Sequence, residues 1–126
     1  MLLLIDYYGH HSAEIKATLI TAKVTWPDRT LIFIFQPHRY SRTKFLMEDF
    51  WTAFKEADHV LVMNIFSAGE APIDGVHASD IVQGVRKYGP KNAEYIKNKN
   101  ELNKHLCNLL NAGDVLITLG AGDVWQ

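Results

Sequence analysis

The sequence predicts an α/β fold: a three-layer, mostly parallel, Rossmann-like sheet with helices on both faces. Three observations carry this. Apolar runs at residues 2–5, 31–35, 60–65 and 115–119, and a shorter strand-like segment at 93–96, alternate with helix-periodic stretches in the order βαβαβαβαβ. The runs are apolar at consecutive positions, so both faces of such strands need cover; parallel strands joined by right-handed helical crossovers provide it. Polar or glycine-rich segments at 7–12, 36–43, 67–75 and 120–123 follow strands, so parallel strands would bring them to one rim, where open α/β sheets bind ligands.

Each element has its own reason. After the 2–5 run, Ser12 can cap a helix carrying Ile15, Leu19 and Ala22 on one face, closed by Trp26-Pro27-Asp28. The 31–35 strand leads to a helix capped by Ser41 or Thr43, whose Leu46, Phe50, Ala53, Phe54 and Ala57 recur at three- and four-residue spacing and form a core stripe. The 60–65 run is a nearly all-apolar strand. Ser79 begins a helix with Ile81, Val82 and Val85. Leu102, Leu106, Leu109 and Leu110 line the last helix, and Gly113-Asp114 turns the chain into the 115–119 strand.

Composition sets limits. A chain of 126 residues with 48% hydrophobic content fits one compact domain, residues 1–126, with a sizeable core. Thirteen basic against 14 acidic residues leave a net charge of -1, no electrostatic reason to expect nucleic acid or an anionic membrane as a partner. Any anion site must be local. Cys107 is the sole cysteine, so no internal disulfide or cysteine-based zinc site is expected, and a reducing, cytoplasmic location is the natural reading. The first five residues are too short for a signal peptide, and no apolar run is long enough to cross a bilayer.

Two segments concentrate chemistry. Gln36-Pro37-His38-Arg39-Tyr40-Ser41-Arg42 places two guanidiniums and an imidazole directly after a strand. Planar guanidinium forks bind carboxylates in bidentate fashion, which a lysine cannot reproduce. Asp6-Tyr7-Tyr8-Gly9-His10-His11 follows the first strand. Plainer readings stand beside these: Arg39 and Arg42 as solvated charges at a helix start, Gly9-His10-His11 as a simple connection, Tyr40 as packing. A metal site on His10, His11 and His38 is not expected, because adjacent side chains diverge and no cysteine or carboxylate pair lies at ligand spacing. His59, His77 and His105 read as structural or exposed. In Ala68-Gly69-Glu70-Ala71-Pro72-Ile73, glycine and proline can simply shape a turn with Glu70 exposed, and Gly120-Ala121-Gly122 permits either a turn or close approach to a ligand.

These motifs, in this order and over nearly the whole chain, resemble the C-terminal domain of the Mur ligase family, in particular its UDP-N-acetylmuramate-L-alanine ligases. The likeness rests on residues 8–11, 36–42, 68–73 and 119–123. The Pro-His-Arg-Tyr-Ser-Arg segment points to the alanine-adding branch rather than the ligase that recycles murein tripeptide. The resemblance implies two further domains, an N-terminal one for the UDP-sugar and a central one for ATP and magnesium. The central domain's Gly-Lys-Thr loop does not occur in this sequence. The chain by itself is therefore expected to fold without turning over ATP.

The resemblance also implies roles. Tyr8, His10, His38, Arg39 and Arg42 would surround the incoming L-alanine, with the arginines on its carboxylate. An imidazole, which ordinarily titrates near neutrality, suits acceptance of the amine proton; His10 and His38 are both candidates. The family pattern Asp-Asp-Tyr-Gly-His-His-Pro is altered here, with Tyr7 in place of the second aspartate and Ser12 in place of proline. Nucleotide contact would then fall to Asp6 or to stacking by Tyr7. Two other readings use the same rim: a free-standing module binding an amino acid or nucleotide, and a metal-dependent hydrolase built on the histidines.

Overall fold

A computed structural model describes residues 3–7, 12–109 and 113–119, with residues 3–7 and 12 described by their backbone. In chain order the elements are β1 (Leu3–Tyr7), α1 (Ser12–Thr25), β2 (Leu31–Phe35), α2 (Tyr40–Ala53), β3 (His59–Met63), α3 (Ala78–Tyr88), β4 (Ala93–Ile96), α4 (Lys99–Leu109) and β5 (Val115–Leu119). The strands form one sheet in the order β1-β5-β2-β3-β4, and every neighbouring pair is parallel, β4 included.

Crossover handedness distributes the helices. The connections through α1, α2 and α3 step one way along the sheet, whereas α4 returns from edge strand β4 to interior strand β5. Right-handed crossovers therefore put α1–α3 on one face and α4 on the other. The cores agree. Ile15, Leu19, Phe50, Ile81 and Val85 pack with Leu31, Phe33, Phe35, Val60 and Val62, while Leu102 and Leu106 of α4 pack with Ile32, Ile34, Leu61 and Leu116. Consecutive residues of β2 and β5 thus enter different cores, which explains the uninterrupted apolar run of β2 and the run of β5 that only Thr118 breaks.

An aromatic knot anchors α2. Phe33 meets Phe54 edge-on at 5.2 Å between ring centroids, and Phe35 contacts Phe50 at 5.0 Å and Phe54 at 5.6 Å. The expected stripe is buried as predicted, although the helix ends at Ala53 and Phe54 and Ala57 lie in the turn beyond it. Trp51 reaches across to α3, where its indole N–H donates to the Asp80 carbonyl at 3.2 Å. Gly84 allows this, since a Cβ there would overlap the indole ring.

Several boundaries differ from expectation. β1 extends through Asp6 and Tyr7, which belong to the strand end rather than to the following loop. β3 stops at Met63, and Ile65 is buried beyond it. Neither Ser41 nor Thr43 caps α2; both lie inside it, and Arg39 holds the N-cap position without a side-chain cap bond. α3 starts at Ala78 under His77, whose ring nitrogen accepts from the Ser79 N–H at 3.0 Å while Asp80 accepts from the His77 N–H, a reciprocal capping box. Leu110 lies outside the described residues.

Candidate functional site

Parallel register puts the strand ends together. Tyr7 aligns with Leu119 and Leu119 with Phe35, so the segments after β1 and β2 leave the same edge of the sheet. Two inter-strand spacings separate them, roughly 10 Å. Asp6 and Tyr7 occupy the last two backbone positions of β1, paired with Thr118 and Leu119. Tyr8, His10, His11 and residues 120–123 lie outside the described residues.

Hydrogen bonds tie the rim strands to one another. The Gln36 N–H donates to the Leu119 carbonyl at 3.0 Å, joining the exits of β2 and β5. The Gln36 side-chain amide donates to the Asn64 carbonyl at 3.3 Å, and Asn64 in turn donates to the Lys97 carbonyl at 2.9 Å and accepts from the Tyr95 hydroxyl. Asn64 thus links β3 to the end of β4. Sequence patterning gave it no role, because its partners are more than 25 residues away.

The cationic segment is held in an unusual backbone state. His38 pairs with Phe66 across the loops that follow β2 and β3, through Arg39 N–H to Phe66 O at 2.7 Å and Phe66 N–H to Pro37 O at 2.8 Å. The His38 ring lies 5.2 Å from the Phe66 ring. Arg39 then adopts φ 68 and ψ 135. A non-glycine residue there carries a strain of about 1–3 kcal/mol, sustained only where surrounding bonds over-determine it. Here the Arg39 N–H is bonded to Phe66, and its carbonyl accepts from both the Thr43 N–H at 3.1 Å and the Thr43 hydroxyl at 2.8 Å.

His38, Arg39 and Arg42 are therefore brought to one short stretch at the start of α2, with both arginines exposed. Neither forms a salt bridge with a described carboxylate; the ion pair among the described residues is His105 with Glu94 at 3.5 Å. Tyr40 packs against the core, in line with the plainer reading of that residue. Phe45, one helical turn beyond Arg42, is 85% exposed, and Phe66 is 52% exposed.

Glu70 corrects the expectation of a merely exposed turn residue. Its carboxylate accepts from the Ser41 N–H at 3.0 Å and the Ser41 hydroxyl at 2.6 Å, 29 residues away. Its carboxyl is held below the ordinary carboxylate value, first by the Ser41 hydroxyl and then by the Ser41 N–H; desolvation opposes this, and the Tyr40 N–H and the Arg39 charge reinforce it. A carboxylate at a helix N-terminus also meets the positive end of the helix dipole. The Gly69 that follows Ala68 could have signalled a tight turn; nothing local could have signalled Ser41 as the partner.

Two clefts lie elsewhere. One of about 260 Å³, lined by His59, Lys91, Glu94 and His105 among others, opens at the opposite edge of the sheet, and one of about 380 Å³ lies between α1 and α2. Among the described residues no three His, Cys, Asp or Glu side chains converge as a metal site, and no helix is long and apolar enough to cross a membrane.

Comparison with known proteins bears directly on this geometry. Residues 2–122 match the family described as Mur ligase, glutamate ligase domain. The chain is 48% identical over 124 residues to the UDP-N-acetylmuramate-L-alanine ligase of Desulfosudis oleivorans, and 46% identical over 122 residues to that of Geobacter sulfurreducens. These alignments cover 98% and 97% of this chain but 27% and 26% of those relatives, so the chain spans about a quarter of their length. Among solved structures, the UDP-N-acetylmuramate-alanine ligase of Thermotoga maritima superposes with a TM-score of 0.70 at 26% identity, over 98% of this chain and 24% of that one. A murein peptide ligase from Psychrobacter arcticus shares the fold, with a TM-score of 0.71 at 21% identity over 98% of this chain and 25% of that one.

Proposed function

The chain belongs to the Mur ligase family, and from that premise we propose that it is the C-terminal domain of a UDP-N-acetylmuramate-L-alanine ligase, holding the incoming L-alanine and closing over the reaction centre. The observation that carries this reading is the placement of Arg39 and Arg42, both exposed at the start of a rim helix on the same sheet edge from which β1 also exits. A helix N-terminus disfavours cations, so two arginines there suit a ligand that brings negative charge. The carboxylate of an amino acid supplies it.

In the proposed reaction ATP activates the carboxylate of UDP-N-acetylmuramate as an acyl phosphate. The amine of alanine then forms the new C–N bond as phosphate leaves, and the amine's proton passes to a base. The contribution of this domain is positioning. Arg39 and Arg42 fix the alanine carboxylate, and Tyr8, His10 and His38 aim the amine, with His10 or His38 accepting its proton. Holding a nucleophile in near-attack geometry can account for roughly 7–11 kcal/mol of a barrier. Following the family resemblance, magnesium and the phosphates of ATP are assigned to the central domain of the complete ligase, with Asp6 or Tyr7 as this domain's nucleotide contact. Exposed Phe45 and Phe66 beside the cations supply apolar surface for the central domain to cover on closure.

Replacing Arg42 by Ala in the complete ligase tests the reading. Loss of a charge-assisted hydrogen bond of about 1.5–3 kcal/mol should raise KM for alanine or lower kcat/KM by roughly 10- to 150-fold, with KM for ATP little changed. Unaltered alanine kinetics would remove Arg42 from the site.

A further inference from the structure

We propose that Glu70 is a positioning residue for the amino-acid site: reaching from the segment after β3, its carboxylate locks the start of α2 and so fixes the turn that presents Arg39. The inference rests on the reading of Arg39 as a ligand for the alanine carboxylate, and deepens it by naming what holds that arginine.

The sequence of α2 makes such a lock necessary. Its N-cap position, where Ser, Thr, Asp or Asn would ordinarily satisfy a free N–H, is occupied by Arg39, which makes no capping bond. Arg39 also puts a cation at the positive end of the helix dipole. The missing cap is supplied from outside the helix, since Glu70 accepts from the Ser41 N–H and hydroxyl, while Arg39 forms no salt bridge with it. Capping has been delegated, which leaves position 39 open to a guanidinium.

Glu70 is itself held firmly. The Glu70 N–H donates to the Ser67 carbonyl at 3.0 Å, closing a turn whose central residues, Ala68 and Gly69, have φ 52 and 89. Two consecutive positive φ values mark a type I′ turn, which only a few residue types adopt without cost. The same segment supplies Phe66, which bonds the backbone on the other side of Arg39. Thus one loop grips the strained residue from both sides, by the Phe66 backbone before the helix and by the Glu70 side chain within its first turn.

The test combines kinetics of the complete ligase with NMR of the present chain. Glu70→Ala should raise KM for alanine about 10- to 100-fold, the scale of a small misplacement of a binding group, with kcat and KM for ATP within about twofold. Glu70→Gln, which keeps one acceptor oxygen, should recover part of the loss. Leu106→Val, a mild core variant in the separate core under α4, lowers stability away from the rim and should leave KM for alanine unchanged. In the chain alone, Glu70→Ala should speed amide exchange at Ser41, and the unsubstituted protein's Ser41 amide shift should follow the titration of Glu70. Unchanged KM in Glu70→Ala beside a raised KM in Arg39→Ala would overturn the positioning role alone. Unchanged KM in both would overturn the site assignment beneath it. Should Glu70→Ala not fold, Glu70→Gln and the Ser41 titration decide the matter, and a Ser41 amide indifferent to Glu70 refutes the lock.

Discussion

The two edges of the sheet carry similar side chains and differ in how the backbone holds them. At the carboxyl edge stand His38, Arg39, Arg42 and Glu70; at the amino edge His59, Lys91, Glu94 and His105 line an open cleft. At the amino edge the described ion pair joins two partly exposed side chains, His105 and Glu94. At the carboxyl edge the loops after β2 and β3 are zipped by backbone bonds, and both described non-glycine residues with positive φ, Arg39 and Ala68, are found there. Charged and imidazole groups alone do not mark a site. Strain maintained by a network of bonds is what sets the carboxyl edge apart, because it lowers stability and persists only where other contacts insist on it.

Experiments can break or sharpen that contrast. The largest effect belongs to the core that both edges share: Phe50→Ala should cost about 3–5 kcal/mol of stability. Both edges should then report one unfolding midpoint in urea, and a rim that melts first would show it to be a separate, weaker unit. Next, Arg39→Ala in the complete ligase should lower kcat/KM for alanine by about 1.5–3 kcal/mol, whereas His105→Ala should stay within about twofold. Equal losses would erase the functional difference between the edges.

A matched pair of glycines offers a finer comparison. Gly69 at the carboxyl edge has φ 89, Gly113 at the amino edge has φ 95, and both have open space where a Cβ would sit. Alanine at either position should cost a similar 1–2 kcal/mol, roughly, from backbone strain alone. Only Gly69→Ala should also raise KM for alanine, because only that turn carries Glu70. A Gly113→Ala enzyme with equally impaired alanine binding would reduce the contrast to general destabilisation.

The smallest effect is a dependence on acid. Because Glu70 has its carboxyl value lowered in the folded protein, the folded state binds that proton less readily than the unfolded chain. Its stabilising contribution is complete above the ordinary value of 4.5 and is lost as pH falls through the lowered folded value. The stability gap between the unsubstituted chain and Glu70→Gln, followed by urea denaturation, should therefore narrow on acidification. Ser41 acts most strongly on the carboxylate, followed by the Tyr40 N–H and the Arg39 charge. A gap that holds constant through this range would mean that the carboxylate and Ser41 do not interact.

Much of this was legible before any coordinates. The β2 and β5 segments were readable to the residue because strands covered on both faces need near-continuous apolar side chains, Thr118 being the one polar residue among them. The stripe of α2 was readable from its spacing. The cationic segment could be placed at a strand exit, although Tyr8 and His10, expected beside it, lie outside the described residues. The end of β1 was misjudged, since Asp6 and Tyr7 look like loop residues in a local window, whereas strand length is set by pairing with β5. The capping of α2 was misjudged for a similar reason. Ser41 and Thr43 are good caps by type, but a partner from the next loop moved the helix start ahead of both.

By itself the sequence determined the alternation of strand and helix, the two-sided core and the presence of guanidiniums where a strand ends. These follow from short-range periodicity, which any window of the chain already contains, together with the general preference of parallel strands for right-handed crossovers. Tertiary structure alone decided that Arg39 would sit in a strained turn, that Glu70 would cap a helix from 29 residues away, and that Asn64 would link neighbouring strand ends. Those arrangements are pairings between segments distant in sequence. They exist because the parallel sheet carries every strand end to one edge, where polar groups left over from separate loops satisfy one another.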